Sequence, residues 1–117
     1  MAVKRIVANI QGKNTEEAKR FYGDILDLKQ VMDHGWIVTW AAENAMAPQL
    51  SIALEGGAGT PVPDLSIEVD NLDEVYRRVV AARLTVEYGL TEEAWGVRRF
   101  YVRDPFGGLI NILSHVQ

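Results

Sequence analysis

The sequence predicts an α+β fold built from two βαβββ modules, and three observations predict it. An Asn-x-x-Glu helix start occurs twice, at Asn14-Thr15-Glu16-Glu17 and at Asn71-Leu72-Asp73-Glu74, about half a chain length apart. Each start follows one strand-like stretch and precedes three more. Between the two runs lies Glu55-Gly56-Gly57-Ala58-Gly59-Thr60-Pro61-Val62-Pro63, whose composition is that of a connector.

The elements follow in order. Val3–Gln11 alternates loosely and reads as a strand. Asn14 can cap a helix while Glu17 reaches back to it. Ala18, Phe21, Tyr22, Ile25 and Leu26 then recur at i, i+3, i+4, i+7 and i+8, the spacing of one apolar helical face. Residues 28–32, 36–42 and 49–54 read as strands, with Asp33-His34-Gly35 as the turn between the first two. The connector divides the single domain, residues 1–117, into module one (1–56) and module two (57–117). In module two, residues 64–69 read as a strand, and Leu72, Val75, Val79 and Ala82 form the apolar face of the second helix. Residues 85–88, 96–103 and 109–113 supply its last three strands. A helix covers only one face of such a module. Two modules set edge to edge would leave their open faces as one concave cleft.

Composition narrows the function classes. Apolar residues at 48% and charged residues at 24% are ordinary for a globular protein. A net charge of −4 disfavours nucleic acid as a partner, since phosphate binding needs clustered Lys and Arg. The chain has no cysteine, which excludes disulfides, thiolate metal sites and thiol nucleophiles. No stretch approaches the ~20 apolar residues of a membrane helix, so a soluble, cytoplasmic protein is expected. G-x-S-x-G elbows, phosphate loops and dinucleotide fingerprints are absent from the sequence.

Two motifs carry a family resemblance. Phe21-Tyr22-Gly23-Asp24-Ile25-Leu26-Asp27-Leu28 resembles the Phe-Tyr-x-x-x-Leu-Gly-Leu helix end of the vicinal-oxygen-chelate superfamily, with Asp27 in place of the usual Gly. The stretch from Arg98 to Leu113, with its Asp104-Pro105-Phe106-Gly107 turn, resembles the final hairpin of that superfamily. The group holds glyoxalase I, extradiol dioxygenases, fosfomycin-resistance enzymes and bleomycin-binding proteins. The resemblance implies the two-module fold, a small-molecule ligand in the cleft and a homodimer. It also implies three metal-ligand positions, which fall here on Val7, Asp64 and Asn111. Valine has no lone pair to offer, and an Asn carbonyl suits hard cations better than transition metals. The expectation is therefore no metal and no cofactor. His34 in a turn and His115 beyond the last strand read as solvated imidazoles.

Alternation along the strands selects the cleft candidates. Phe100 and Val102 should pack under the helix, leaving Arg99 and Tyr101 to face the cleft beside Leu109, Asn111 and Leu113. Ser66 and Glu68 share the face of Asp64, and Asn9 and Gln11 that of Val7. Trp95, in the loop leading into the hairpin, should border the cleft mouth. Trp36 and Trp40 fit either a core or a ligand platform, and their face is open at this level. Arg99 could pair with an anionic group; as a solvated side chain its loss should change stability by no more than ~0.5 kcal/mol. Asp64 and Glu68, four apart on a strand, sit roughly 13 Å from each other, too far to share a proton. Glu68 alone is a weak candidate for general base. The reading is a metal-independent small-molecule binder, with a metal-dependent lyase, isomerase or dioxygenase using atypical ligands as the alternative.

Overall fold

A computed structural model describes residues 1–43 and 49–116. Its strands are β1 (Val3–Gln11), β2 (Lys29–Asp33), β3 (Ile37–Ala41), β4 (Gln49–Ala53), β5 (Leu65–Val69), β6 (Val86–Glu92), β7 (Val97–Arg103) and β8 (Leu109–His115). Helix α1 (Glu16–Ala18) runs on as a π-helical segment, Lys19–Ile25, and α2 spans Leu72–Ala81. The chain forms two compact units, Val7–Val62 and Met1–Ile6 together with Pro63–Gln117. The first residues of β1 thus belong with the C-terminal unit. That differs from an even division at the connector.

In the N-terminal unit the strand order is β2-β3-β4-β1. β2, β3 and β4 are antiparallel neighbours, while β1 runs parallel to β4. The C-terminal unit repeats this plan as β6-β7-β8-β5, with β5 parallel to β8. The repeated helix starts are the local cause. Asn14 Oδ1 accepts the Glu17 N–H at 3.0 Å, and Asn71 Oδ1 accepts the Glu74 N–H at 3.2 Å.

Each helix buries one face of its sheet. Under α2 the core is Val69, Leu72, Phe100, Val102, Ile110 and Ile112, with Val75, Tyr76 and Val79 packed against it. Leu72, Val75 and Val79 of the expected apolar face meet this core, whereas Ala82 caps the end of α2 and is exposed. The first helix departs from expectation. Only Ala18 and Tyr22 join the core of Val38, Trp40 and Ile52, whereas Phe21, Ile25 and Leu26 stay exposed. The physical reason is the winding. Leu26 N–H bonds to the Phe21 carbonyl, an i→i+5 step that turns less per residue than an α-helix. Positions three, four, seven and eight apart then no longer stack on one side. Trp40 lies so close that a Cβ on Gly23 would come within 2.9 Å of its ring, so only glycine fits there.

This helix ends on Asp27, at φ +57°, with the Leu28 N–H returned to the Tyr22 carbonyl at 3.0 Å. Left-handed backbone favours glycine, the residue that the resembled motif has at this position. Asp27→Gly is expected to raise stability by about 0.5–1 kcal/mol, strain relief less the added chain entropy. Thermal melts check this, and a lower midpoint would mean the Asp27 side chain itself holds the turn.

The connector is more ordered than its composition suggests. Glu55 accepts the Gly59 N–H at 2.9 Å, and Thr60 bonds through both its N–H and its hydroxyl to the Gly57 carbonyl. The Asp104–Gly108 turn forms as read. Asp104 Oδ1 accepts the N–H groups of Phe106 and Gly108, and Gly107 takes φ +84°.

Candidate functional site

The face of the C-terminal sheet turned away from α2 carries most of the residues singled out in the sequence. Strand register sets them in rows. Tyr88, Tyr101, Asn111 and Ser66 align across β6, β7, β8 and β5, and Thr91, Arg99, Leu113 and Glu68 align in the next row. Phe100 and Val102 point the other way, into the core under α2.

Arg99 is 3% exposed, so it is not the solvated side chain expected for an open sheet face. Its guanidinium donates from Nε to Glu93 Oε2 at 2.8 Å, and Nη2 lies 2.7 Å from the same oxygen. Nη1 donates to the Tyr101 hydroxyl at 3.0 Å. Three rings surround the cation, with centroids 4.9 Å away for Trp95, 5.0 Å for Tyr101 and 5.3 Å for Tyr88. Such ring faces attract a guanidinium. The Tyr88 hydroxyl donates to the Glu93 carboxylate at 3.2 Å. The charge that could have met an anionic ligand is thus held by Glu93.

Glu93 and Tyr88 escaped the sequence reading. β6 continues to Glu92, past the expected end at residue 88, because register shifts at Tyr88 and Thr91 break its alternation. The one available signal was the acidic pair Glu92-Glu93 ahead of the tight turn at Ala94-Trp95-Gly96. Trp95 lies in that turn, half-buried and stacked on Arg99.

Asn111 donates from Nδ2 to Ser66 Oγ at 3.1 Å. Its Oδ1 is buried and has no hydrogen-bond partner among the described residues.

Glu68 closes the second row. It bonds Arg5 Nε at 2.7 Å and lies 3.0 Å from His115 Nδ1 and 3.9 Å from Lys4 Nζ. Burial pushes its carboxyl up, but the hydrogen bonds from His115 and Arg5 and their charges outweigh this and hold it below the ordinary glutamate value. A carboxylate stabilised in this way is a weaker base, which counts against a proton-transfer role. His115 ends β8 rather than following it, and it is engaged by Glu68.

A depressed carboxyl stabilises the fold at pH above its unfolded value, about 4.3, and loses that contribution as pH falls through the folded value. Urea midpoints of the wild type should therefore drop on acidification below about pH 4.3, and Glu68→Gln should flatten that dependence. An unchanged slope in the variant would show that Glu68 contributes nothing.

In the N-terminal unit, Asn9 shares a register row with Ser51 and Thr39, whose hydroxyls lie 2.7 Å apart. Trp40 packs on the opposite face, 3% exposed in the core under the helix. Of its two readings, core and platform, the structure gives it the core. Trp36 precedes β3, half-buried, with its ring stacked on exposed His34 at 6.3 Å.

The metal positions implied by the resemblance do not fit a metal. Val7 is buried and apolar. Asp64 Oδ2 already accepts the Leu109 N–H at 2.8 Å. Asn111 offers only a neutral carbonyl. Among the described residues no three of His, Cys, Asp or Glu gather into a metal-binding group.

The model of the Glyoxalase/Bleomycin resistance protein/Dioxygenase superfamily matches residues 4–112. No curated protein matches this chain in sequence. Among solved structures, it is similar to one described as NAD-dependent benzaldehyde dehydrogenase from Legionella pneumophila, at 17% identity and TM-score 0.76, covering 95% of this chain and 99% of that one. It is also similar to a superfamily member from Vibrio splendidus 12B01, at 18% identity and TM-score 0.66, covering 97% and 99%. A third is methylmalonyl-CoA epimerase from Mycobacterium tuberculosis, at 18% identity and TM-score 0.68, covering 98% and 90%. At these identities the likeness shows the fold and nothing finer.

Proposed function

Because the chain belongs to the Glyoxalase/Bleomycin resistance protein/Dioxygenase superfamily, we propose that it is a cytoplasmic, homodimeric, metal-independent protein that binds and sequesters a small molecule. The observation that carries the reading is the helix-free face of the C-terminal sheet. Half-buried Tyr88, Trp95 and Ser66 gather there beside the buried Tyr101 and Asn111, a set of aromatic and hydrogen-bonding groups of the kind that small-molecule sites use. Metal independence rests on the donor set, because Val7, Asp64 and Asn111 supply one carboxylate, already hydrogen-bonded, and no imidazole. No helix among the described residues is long and apolar enough to cross a membrane.

The test uses protein purified without chelator. Elemental analysis is expected to find no stoichiometric transition metal, and a thermal-shift screen of uncharged and anionic aromatic compounds is expected to find stabilising ligands. Bound ligand in excess raises stability as RT ln(1 + [L]/Kd), so a compound at 100 times its Kd adds about 2.7 kcal/mol. A stoichiometric metal would instead favour a lyase, isomerase or dioxygenase with atypical ligands. Light scattering should give about twice the chain mass of 13.1 kDa. A monomer at micromolar concentration would remove the homodimer.

A further inference from the structure

We infer that two copies of this chain meet through the exposed side of the first helix, centred on Phe21 and Ile25. They pack antiparallel about a two-fold axis, with Arg20 of each copy against the partner's Asp24. The inference rests on the homodimer proposed above and names its contact surface.

Three observations support it. First, the surface is apolar and open. Phe21 is 50% exposed, Ile25 68% and Leu26 51%, on a segment that gives only Ala18 and Tyr22 to the core. Half-exposed side chains of this size leave on the order of 100 Å² each, and together they approach the extent at which exposed apolar surface marks an interaction site. A stable pair buries about 800 Å² per partner, so the three supply the apolar centre of such an interface and charged residues its rim.

Second, the winding sets these side chains in rows. In a π-helical segment, residues four apart lie about one turn apart, while those three apart diverge. Phe21 and Ile25 form one row, and exposed Arg20 and Asp24 form the row beside it.

Third, the charges of the second row are unmatched within the chain. Arg20 and Asp24 make no ion pair among the described residues, whereas on α2 Glu74 holds both Arg77 and Arg78. The row is thus positive at one end and negative at the other. A two-fold axis perpendicular to the segment and close to Gly23 reverses one copy against the other. Each Arg20 then lies beside the partner's Asp24, and each Phe21 beside the partner's Ile25. The surface is complementary to itself only in this antiparallel sense, since a parallel pair would set like charges together.

Sedimentation over nanomolar to micromolar concentrations reads the dimer Kd. Ile25→Glu is expected to raise it roughly 30-fold or more, as for a residue at the centre of an interface. Its melting midpoint should stay near that of the wild type, because the side chain is exposed. Arg20→Asp and Asp24→Arg are each expected to raise the Kd about ten-fold, since two opposite-charge contacts become like-charge ones. An equimolar mixture of these two variants should pair with near wild-type affinity. One copy is then acidic and the other basic at both positions, a rescue that no effect within a single chain can produce. A dimer whose Kd is unmoved by Ile25→Glu overturns this surface and leaves the homodimer standing. A mixture no tighter than either variant alone overturns the antiparallel pairing. A wild type that is monomeric at micromolar concentration overturns the homodimer and this inference together, and leaves the surface to a different partner.

Discussion

Phe100→Ala is expected to destabilise the protein by about 3–5 kcal/mol, the cost of deleting a large, fully enclosed side chain. Phe100 is 0% exposed and meets Tyr76 of α2 edge to face, with centroids 5.0 Å apart. It lies between Val102 on its own strand and Ile112, its cross-strand partner. Few neighbours could close over the void, because β7 is hydrogen-bonded on both sides, to β6 and β8. Urea unfolding at neutral pH measures the loss. A change below ~1 kcal/mol would mean that the site collapses, or that α2 does not pack there.

Arg99→Ala is expected to cost a comparable amount, about 3–5 kcal/mol, because it leaves the Glu93 carboxylate buried without its counter-charge. It also removes the body over which Trp95, Tyr88 and Tyr101 are arranged. The double variant Arg99→Met with Glu93→Leu separates these terms. Removing both charges and keeping the volume should recover most of the loss, since a buried pair adds little over an apolar one. Should Arg99→Ala alone stay within ~0.5 kcal/mol, the buried pair would be absent in solution and the side chain solvated, as strand alternation suggested.

The two variants mark the limit of reading strands by period. Alternation placed Phe100 and Arg99 on opposite faces, and they are on opposite faces. It also implied that the face away from the helix is wet, and there it failed. The environment of Arg99 depends on Glu93, six residues on the other side of a turn, and on rings from two strands and a loop. No period along a single strand encodes that meeting. The register shifts in β6 that bring Tyr88 and Glu93 into it are likewise set by pairing with β7. Glu68 shows the same limit. Its face was legible, but its partners Arg5 and His115 lie at the two ends of the chain.

The amino-acid sequence alone determined the modular plan. Two Asn-x-x-Glu caps, the apolar face of α2 and the Asp104–Gly108 turn are encoded by contacts within about four residues, so local chemistry suffices to specify them. Tertiary structure decided the rest. It wound the first helix into i→i+5 bonds and turned Phe21, Ile25 and Leu26 outward, while Trp40, pressed against Gly23, took the core. It also converted Arg99 from a candidate anchor into half of a buried pair. These outcomes depend on groups distant in sequence competing for the same space and the same charge, and that competition is resolved only when the strands are side by side.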